Sequence, residues 1–509
     1  MFEGLLTGMQ MGIQTAFTSI NILFVLFGCF MGSMIGMLPG LGPITAVALM
    51  IPLTYGLDPS TGMILLAGVY YGAIFGGSTS SILINAPGEA AVVATTFDGY
   101  PLARKGEPGK ALAVAAYSSF AGGSIAVILL MFFAPAMANV SKNFQSGDYF
   151  ALMILGLTAI SAFTGRGSFL KSILMAIFGL MLATIGTDQT SGTQRFTFGS
   201  MELLDGIDFL LLAMATFAIT EAVFIVLNRD AASDSFKPKN LGFKNLKVTR
   251  KEFRSILPTI GRSSLLGYFI GVLPGAGATL GSMMSYGMER NLASKEDQQE
   301  FGKGSLKGLA APEAGNNAAS TGSFIPLLTL GIPGSGTTAV MLGALIAYGI
   351  NPGPRMFVES PETFWGVIMS MYLGNMFLLV INLPLIPYIA KLLAVPRNLL
   401  VPFILFFSII GVYLITFNAF DIKMMVVIAI IALFLRLMNF PMAPILLGFI
   451  LGGLMEYNLR RALIINDGSV SFMWERPSTL TINIITAVFL LLPLLRELRN
   501  RVFKREAVT

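Results

Sequence analysis

Gly36-Met-Leu-Pro-Gly-Leu-Gly-Pro43, Gly76-Gly-Ser-Thr-Ser-Ser81 and Asn85-Ala-Pro-Gly-Glu89 interrupt a stretch that is otherwise apolar enough to sit in a bilayer. Lipid offers no partner to a freed peptide N–H or C=O. Breaks of this kind therefore persist in a membrane only against protein or a polar cavity. From Gly36 to Asp98 there is no Lys or Arg, while hydroxyls, an amide and the carboxylates of Asp58 and Glu89 are present. The stretch reads as the lining of a polar pocket built from broken helices. The same pattern returns as Gly271-Val-Leu-Pro-Gly-Ala-Gly277, Ala318-Ala-Ser-Thr-Gly-Ser323 and Gly331-Ile-Pro-Gly-Ser-Gly-Thr-Thr338, the Pro-Gly segments matching at five of seven positions. Short, broken apolar segments at corresponding places in two halves point to the binding site of a secondary transporter.

Composition agrees with a bilayer. Of 509 residues 54% are hydrophobic and only 12% charged, the signature of an integral membrane protein. At about 20 residues per span, a dozen or more crossings fit. The apolar runs are too long for the alternating strands of an outer-membrane barrel. The net charge of +6 does not point to nucleic acid, because the basic residues fall in loops, as topology signals do. A single cysteine, Cys29, excludes an internal disulfide and a cysteine metal cluster. The absence of histidine removes His catalysis, His ligation and His proton relays. Residues 1–103 hold no Lys or Arg, so no cleavable signal peptide is expected.

Taken in order, the chain predicts an all-α polytopic protein of about 12–15 helical segments, some re-entrant or broken. The first span is expected over 13–37, a short piece over 44–57, and a span over 63–84 interrupted by the Ser-Thr-Ser-Ser run. A polar segment over 98–110 and spans near 111–138, 149–165, 169–187 and 209–228 follow, with Glu221 at an interface beside Arg229. Residues 229–254 carry eight basic residues against three acidic ones and read as a cytoplasmic linker. The organisation is then a first repeat over 1–228, a linker over 229–255 and a second repeat over 256–509 that ends in a basic, cytoplasmic tail. Spans are expected near 364–390, 398–418, 421–440, 441–458 and 479–496. Arg460 and Arg461 have no place in this map. An odd number of crossings before the linker would invert the second half relative to the first, giving two inverted-topology repeats.

Several of these segments resemble the large permease subunit of tripartite tricarboxylate transporters, the TctA-like family. They are Met37-Leu-Pro-Gly-Leu-Gly42, the Tyr71-Gly-Ala-Ile-Phe-Gly-Gly-Ser-Thr-Ser-Ser-Ile-Leu83 run, Asn85-Ala-Pro-Gly88, Asp98-Gly-Tyr-Pro-Leu-Ala103, Ala311-Pro-Glu-Ala-Gly-Asn-Asn-Ala318 and Gly331-Ile-Pro-Gly-Ser-Gly336. The resemblance covers nearly the full length. It implies a bacterial inner-membrane permease that works with a small membrane subunit and a periplasmic solute-binding protein. It further implies import of a carboxylate down an ion gradient, usually sodium, without ATP.

The candidate substrate site comprises Gly40, Ser78, Thr79, Ser80, Asn85, Pro87 and Gly88, with Gly275, Ser320, Thr321, Pro333, Gly334, Ser335 and Thr337 in the second half. Membrane Ser and Thr commonly bond back to helix carbonyls, but hydroxyls beside a Gly-Gly pair and an Asn-Ala-Pro-Gly turn suit binding better. Pro87-Gly88 and Pro333-Gly334 suit helix starts, where free N–H groups favour an anion. Candidate sodium ligands are Ser81, Glu89, Asn316, Asn317 and Thr338, since hydroxyl, amide and carboxylate oxygens suit a small hard cation. Glu89 would otherwise cap a helix, and Glu313 either joins the ligands or sits at a loop rim. Gly331 to Thr338 has phosphate-loop spacing, but Thr337 stands where the lysine is needed, and the breaks offer no nucleophile–base pair for a hydrolase. No enzymatic activity is expected. A passive channel or a proton-coupled carrier is the rival reading.

Overall fold

The computed structural model describes residues 2–38, 40–163, 169–188, 190–227, 245–391 and 400–506. Most of the 229–255 linker, and Pro39 of the first motif, lie outside these residues, as do Arg166, Arg229 and the side chains of the basic tail. Helices make up nearly everything described, as the apolar runs require. The one sheet among the described residues is a two-residue antiparallel hairpin pairing Gly186 with Arg195 and Thr187 with Gln194. Among the described residues five helices are long and apolar enough to cross a membrane: Ser19–Met37, Pro59–Ile84, Pro108–Ser141, Phe209–Leu227 and Pro361–Asn382. The chain is a multi-pass membrane protein.

One unit of structure occurs twice. In the first half, Ser19–Met37 ends at the Pro-Gly break, the short helix Pro43–Thr54 follows, and Pro59–Ile84 runs buried along its whole length to Asn85. A 3₁₀ turn, Ala90–Val92, then leads into Val93–Arg104. In the second half, Arg250–Val272, Gly277–Leu292, Leu306–Gly322, a π-helical turn over Pro326–Leu330 and Gly336–Ala347 repeat that order. At about 1.5 Å per residue the 12-residue helices Pro43–Thr54 and Gly336–Ala347 reach only about 18 Å, too short to cross.

Small residues let the paired helices approach to backbone contact. A Cβ on Gly36 would lie 2.1 Å from the Ala73 carbonyl oxygen, and one on Gly271 would lie 2.1 Å from that of Ala319. Gly76 meets the Ser33 carbonyl as Gly322 meets that of Tyr268, at 2.2 and 2.5 Å. These matched contacts correct the register expected from the motifs. Aligning the two Ser-Thr runs pairs Ala73 with Gly315, whereas the contacts pair it with Ala319, four residues further on. The Ser-Thr run sits one turn further from the end of its helix in the second half, eight residues from Ser323 to Gly331 against four from Ser81 to Asn85. Both buried helices still stop alike: Asn85 at φ 53° and Gly331 at φ 68° take the left-handed conformation that ends a helix.

The two units are joined at both ends. At one end the Ser60 and Thr363 hydroxyls lie 2.8 Å apart and the Tyr348 hydroxyl donates to that of Thr54, beside a bond within the first unit from Thr61 Oγ1 to Asn21 Oδ1 at 2.7 Å. At the other, the Asp98 carboxylate accepts the backbone N–H groups of Gly302, Gly304 and Ser305 at 2.7–2.9 Å, and Lys110 pairs with Glu252 at 3.0 Å.

Several expectations need correction. The 13–37 span divides into Phe2–Ala16 and Ser19–Met37, because Thr18 caps the second helix by accepting from the Asn21 N–H. The Ser-Thr-Ser-Ser run does not interrupt its helix. The Ser80 and Ser81 hydroxyls donate to the Gly77 carbonyl at 3.1 and 2.8 Å, so the backbone stays helical. The boundary at 256 falls inside Arg250–Val272, whose start is fixed by the Thr249–Glu252 capping box. Glu221 pairs with Arg436, while Arg229, expected beside it, lies outside the described residues. Arg460 gains a place: it binds Asp188 at 2.9 Å and Glu456 at 2.5 Å, while Arg195 binds Glu456 at 2.9 Å, so two arginines and two acids pin the hairpin to Ala443–Ile465. Arg461 reaches the Tyr457 hydroxyl at 3.2 Å.

Candidate functional site: the convergence of four helix breaks

The four breaks meet. A Cβ on Gly42 would lie 3.2 Å from Glu89 Cβ, so the first break touches the second. The third touches the fourth in the same way, Gly277 lying 3.2 Å from Ser335 Cβ, and the Gly275 N–H donates to the Gly334 carbonyl at 3.0 Å. Across the halves, Pro43–Thr54 packs on Gly336–Ala347, and Ala90–Val92 on Gly277–Leu292. The Tyr70 hydroxyl reaches Ser335 Oγ at 3.4 Å, with Ser320 and Ser323 beside it. Gly40 and Asn85 are exposed, and Pro87, Glu89, Gly275 and Ser335 partly so.

Helix starts at this centre carry free N–H groups. Gly42 and Ala276 precede Pro43–Thr54 and Gly277–Leu292 with no side-chain cap, and Glu89 precedes the Ala90 turn without one. The expectation that Glu89 caps a helix therefore fails. Its Oε1 has no partner among the described residues, because the helix it was expected to start only begins after a 3₁₀ turn. Pro87 and Gly88 likewise lie in the break and not at a helix start, and Gly88 rests 2.5 Å (as a built Cβ) from the Gly36 carbonyl. Ser335 is different: it and Thr338 form a reciprocal capping box, the Ser335 N–H donating to Thr338 Oγ1 at 2.8 Å. Thr337 is buried in the first turn of that helix.

A second polar group lies along Leu306–Gly322, all of it buried from Gly308. Glu313, expected either among the cation ligands or at a loop rim, is inside the protein and wholly buried. It accepts from Ser78 at 2.8 Å, Ser119 at 2.7 Å and Thr95. One turn on, Asn317 Nδ2 donates to the Glu313 carbonyl at 3.1 Å and to Asn316 Oδ1 at 2.8 Å. Another turn on, Thr321 Oγ1 bonds the Asn317 carbonyl at 3.0 Å and meets the Tyr71 hydroxyl at 2.7 Å. Asn316 Nδ2 and Asn317 Oδ1 keep no partner among the described residues. Of the candidate residues, the structure thus gathers Gly40, Gly88, Glu89, Gly275, Gly334 and Ser335 at the breaks. Ser78, Thr79 and Asn316 to Thr321 line the way to Glu313, and Ser80 and Ser81 are committed to their own helix.

The sequence reading missed one charge. Glu221 Oε1 lies 2.5 Å from where a Gly40 Cβ would be, and its partner Arg436 stacks 4.3 Å from the Phe224 ring centroid. A guanidinium from a distant helix therefore approaches the first break, although residues 36–98 hold no cation of their own.

Residues 22–447 match the sequence profile of the tripartite tricarboxylate transporter TctA family. The chain belongs to that family. It is 43% identical over 508 residues, 99% of each chain, to an uncharacterized 52.8 kDa protein in the TAR-I ttuC' 3'region of Agrobacterium vitis. An uncharacterized protein in the TAR-II ttuC' 3'region of the same organism is 44% identical over 240 residues, 47% of this chain and 98% of that protein. No solved structure matches. A TctA-family chain is a transporter component of a tripartite system, so the converging breaks belong to a transport protein.

Proposed function

We propose that this chain is the large permease subunit of a binding-protein-dependent importer in the bacterial inner membrane. It carries a di- or tricarboxylate inward together with sodium, beside a small membrane subunit and a periplasmic solute-binding protein. The observation that carries this reading is the meeting of four helix breaks between two matched units, with uncapped helix starts directed at one point. Each start contributes about half a positive charge, which suits a carboxylate but does not neutralise two or three of them. An uncompensated charge in a low dielectric costs several kcal/mol, so accompanying cations complete the balance.

The two units are inverted in this reading. The first opens near Thr18 at the end where Thr61 and Thr363 sit; the second opens at Arg250, at the end where Lys110 and Asp98 sit. Such units can exchange conformations around a fixed central site and so expose it to alternate sides.

The test is uptake of labelled carboxylate by vesicles holding all three components, under separate sodium and proton gradients. Saturable uptake that follows the sodium gradient and needs the binding protein is expected. Uptake that ignores sodium and follows pH would instead favour Glu89, with its unpartnered Oε1, as a proton carrier.

A further inference from the structure

Acids in this protein are compensated in recognisable ways. Asp148 has Arg476, Asp188 and Glu456 share Arg195 and Arg460, Glu221 has Arg436 and Glu289 has Arg262. Asp98 has three backbone N–H groups and the Tyr286 hydroxyl. Glu313 is more deeply buried than most of these, yet among the described residues no Lys or Arg pairs with it. Its partners are three hydroxyls, one from each of Pro59–Ile84, Val93–Arg104 and Pro108–Ser141. The charged groups on the surrounding helices are engaged or distant: Lys110 with Glu107 and Glu252, Lys307 with Asp297, Arg104 exposed, Glu362 in the first turn of Pro361–Asn382. A lone carboxylate in such a place is costly unless a positive charge joins it.

There is room for one. Glu313, Ser78, Thr79, Ser119 and Asn382 share with five apolar side chains the lining of a pocket of about 10 Å³, on the scale of a single water. Asn382, 5% exposed, donates its Nδ2 to the Leu378 carbonyl at 3.0 Å, but its Oδ1 has no partner among the described residues. A carboxylate, an unpaired amide oxygen and two or three hydroxyls around a water-sized space form an all-oxygen donor set. One negative charge matches one positive charge, and hard oxygen donors select alkali or alkaline-earth cations over softer metals.

We propose that this cavity is a sodium site, with Glu313 as the charged ligand and Asn382 Oδ1 and the Ser78 and Ser119 hydroxyls as neutral donors. The proposal deepens the sodium-coupled reading above by placing one coupling ion at a residue outside the helix breaks. The Asn317–Thr321–Tyr71 ladder joins it to the central site, so occupancy of the cavity holds four helices together beside the substrate.

The test is melting of the purified full-length protein in detergent without substrate, titrated with sodium against potassium at constant ionic strength and pH. Wild type should be stabilised by sodium selectively. Glu313→Gln, and the milder Asn382→Ala and Ser78→Ala, should raise the half-saturating sodium concentration at least about tenfold. Ser161→Ala, which removes a buried hydroxyl bonded to its own helix, should leave it unchanged. Sodium stabilisation that survives all three cavity variants overturns the site. So does a wild type indifferent to sodium, and if its stability instead varies with pH only while Glu313 is present, the occupant is a proton. A sodium response that depends on Glu313 in a protein whose uptake ignores the sodium gradient keeps the site and sinks the coupling reading.

Discussion

Ser335 shows how one hydroxyl can serve structure or substrate. It caps Gly336–Ala347 and meets Tyr70 from the other half. Ser335→Ala should lower stability by about 1 kcal/mol and lower uptake. Ser335→Asn restores a cap, so recovery of both melting and uptake would make the residue purely structural, whereas recovery of melting alone identifies the hydroxyl as a substrate contact. Gly32 poses a packing question, since its Cβ would lie 2.2 Å from the Val69 carbonyl oxygen. Gly32→Ala gains about 1 kcal/mol of helix propensity but must push two backbones apart, an overpacking cost of about 1–3 kcal/mol. A lower melting temperature is expected, while Gly287→Ala, with open space around it, should show none of that loss. At Asp188, hydrogen bonds from Ser191, the Thr190 N–H and Arg460 hold the carboxyl well below the usual range. Its stabilising contribution is present above the unfolded value of about 3.9 and is lost only as pH falls through the depressed folded value. The melting difference between wild type and Asp188→Asn should therefore be constant from about pH 8 down to about pH 5 and shrink below about pH 4.

Among the elements, Val93–Arg104 has no side-chain cap at its start and is held to the second half through Asp98. That carboxylate closes the turn before Leu306–Gly322 by accepting three backbone N–H groups across the two halves. Asp98→Asn keeps the size but halves the acceptor capacity and removes the charge. Hydrogen bonds to charged groups contribute about 1.5–3 kcal/mol each, so the variant should open the 293–305 connection to limited proteolysis before the rest of the protein melts. Equal cleavage in variant and wild type would show that packing, and not Asp98, holds that turn. The π-helical turn Pro326–Leu330 is the other element-scale feature: it ends the second buried helix at Gly331, twelve residues beyond Ala319, as Asn85 lies twelve beyond Ala73.

At the scale of the whole molecule, inversion makes a prediction about sides. Ser19 opens its helix and Lys251 lies in the first turn of the corresponding one, and in an inverted pair they face opposite compartments. Single cysteines at these positions, with buried Cys29 as an inert background, should differ: a membrane-impermeant thiol reagent added to intact cells should label position 19 and spare position 251. Labelling of both, or of neither until the cells are opened, would leave two parallel units.

Membrane class, the broken segments and the doubling were legible in the chain, because lipid enforces them locally: apolar length, Pro-Gly breaks and the placement of Lys and Arg each leave a mark in sequence. The motif residues also carried the family. What the sequence left open were relations between distant residues. Local spacing put the repeat four residues out of register, because only the contact of Gly271 with Ala319 shows which turn faces which. It left Glu313 open between a cation ligand and a loop rim, because nothing near position 313 announces Ser78, Thr95 and Ser119 gathering from three other helices. It left Arg460 unplaced and missed Arg436 beside the first break, because ion partners are chosen by proximity in space and lie hundreds of residues away. Patterning decides which residues are apolar enough to be buried; only tertiary packing decides what each buried polar group meets.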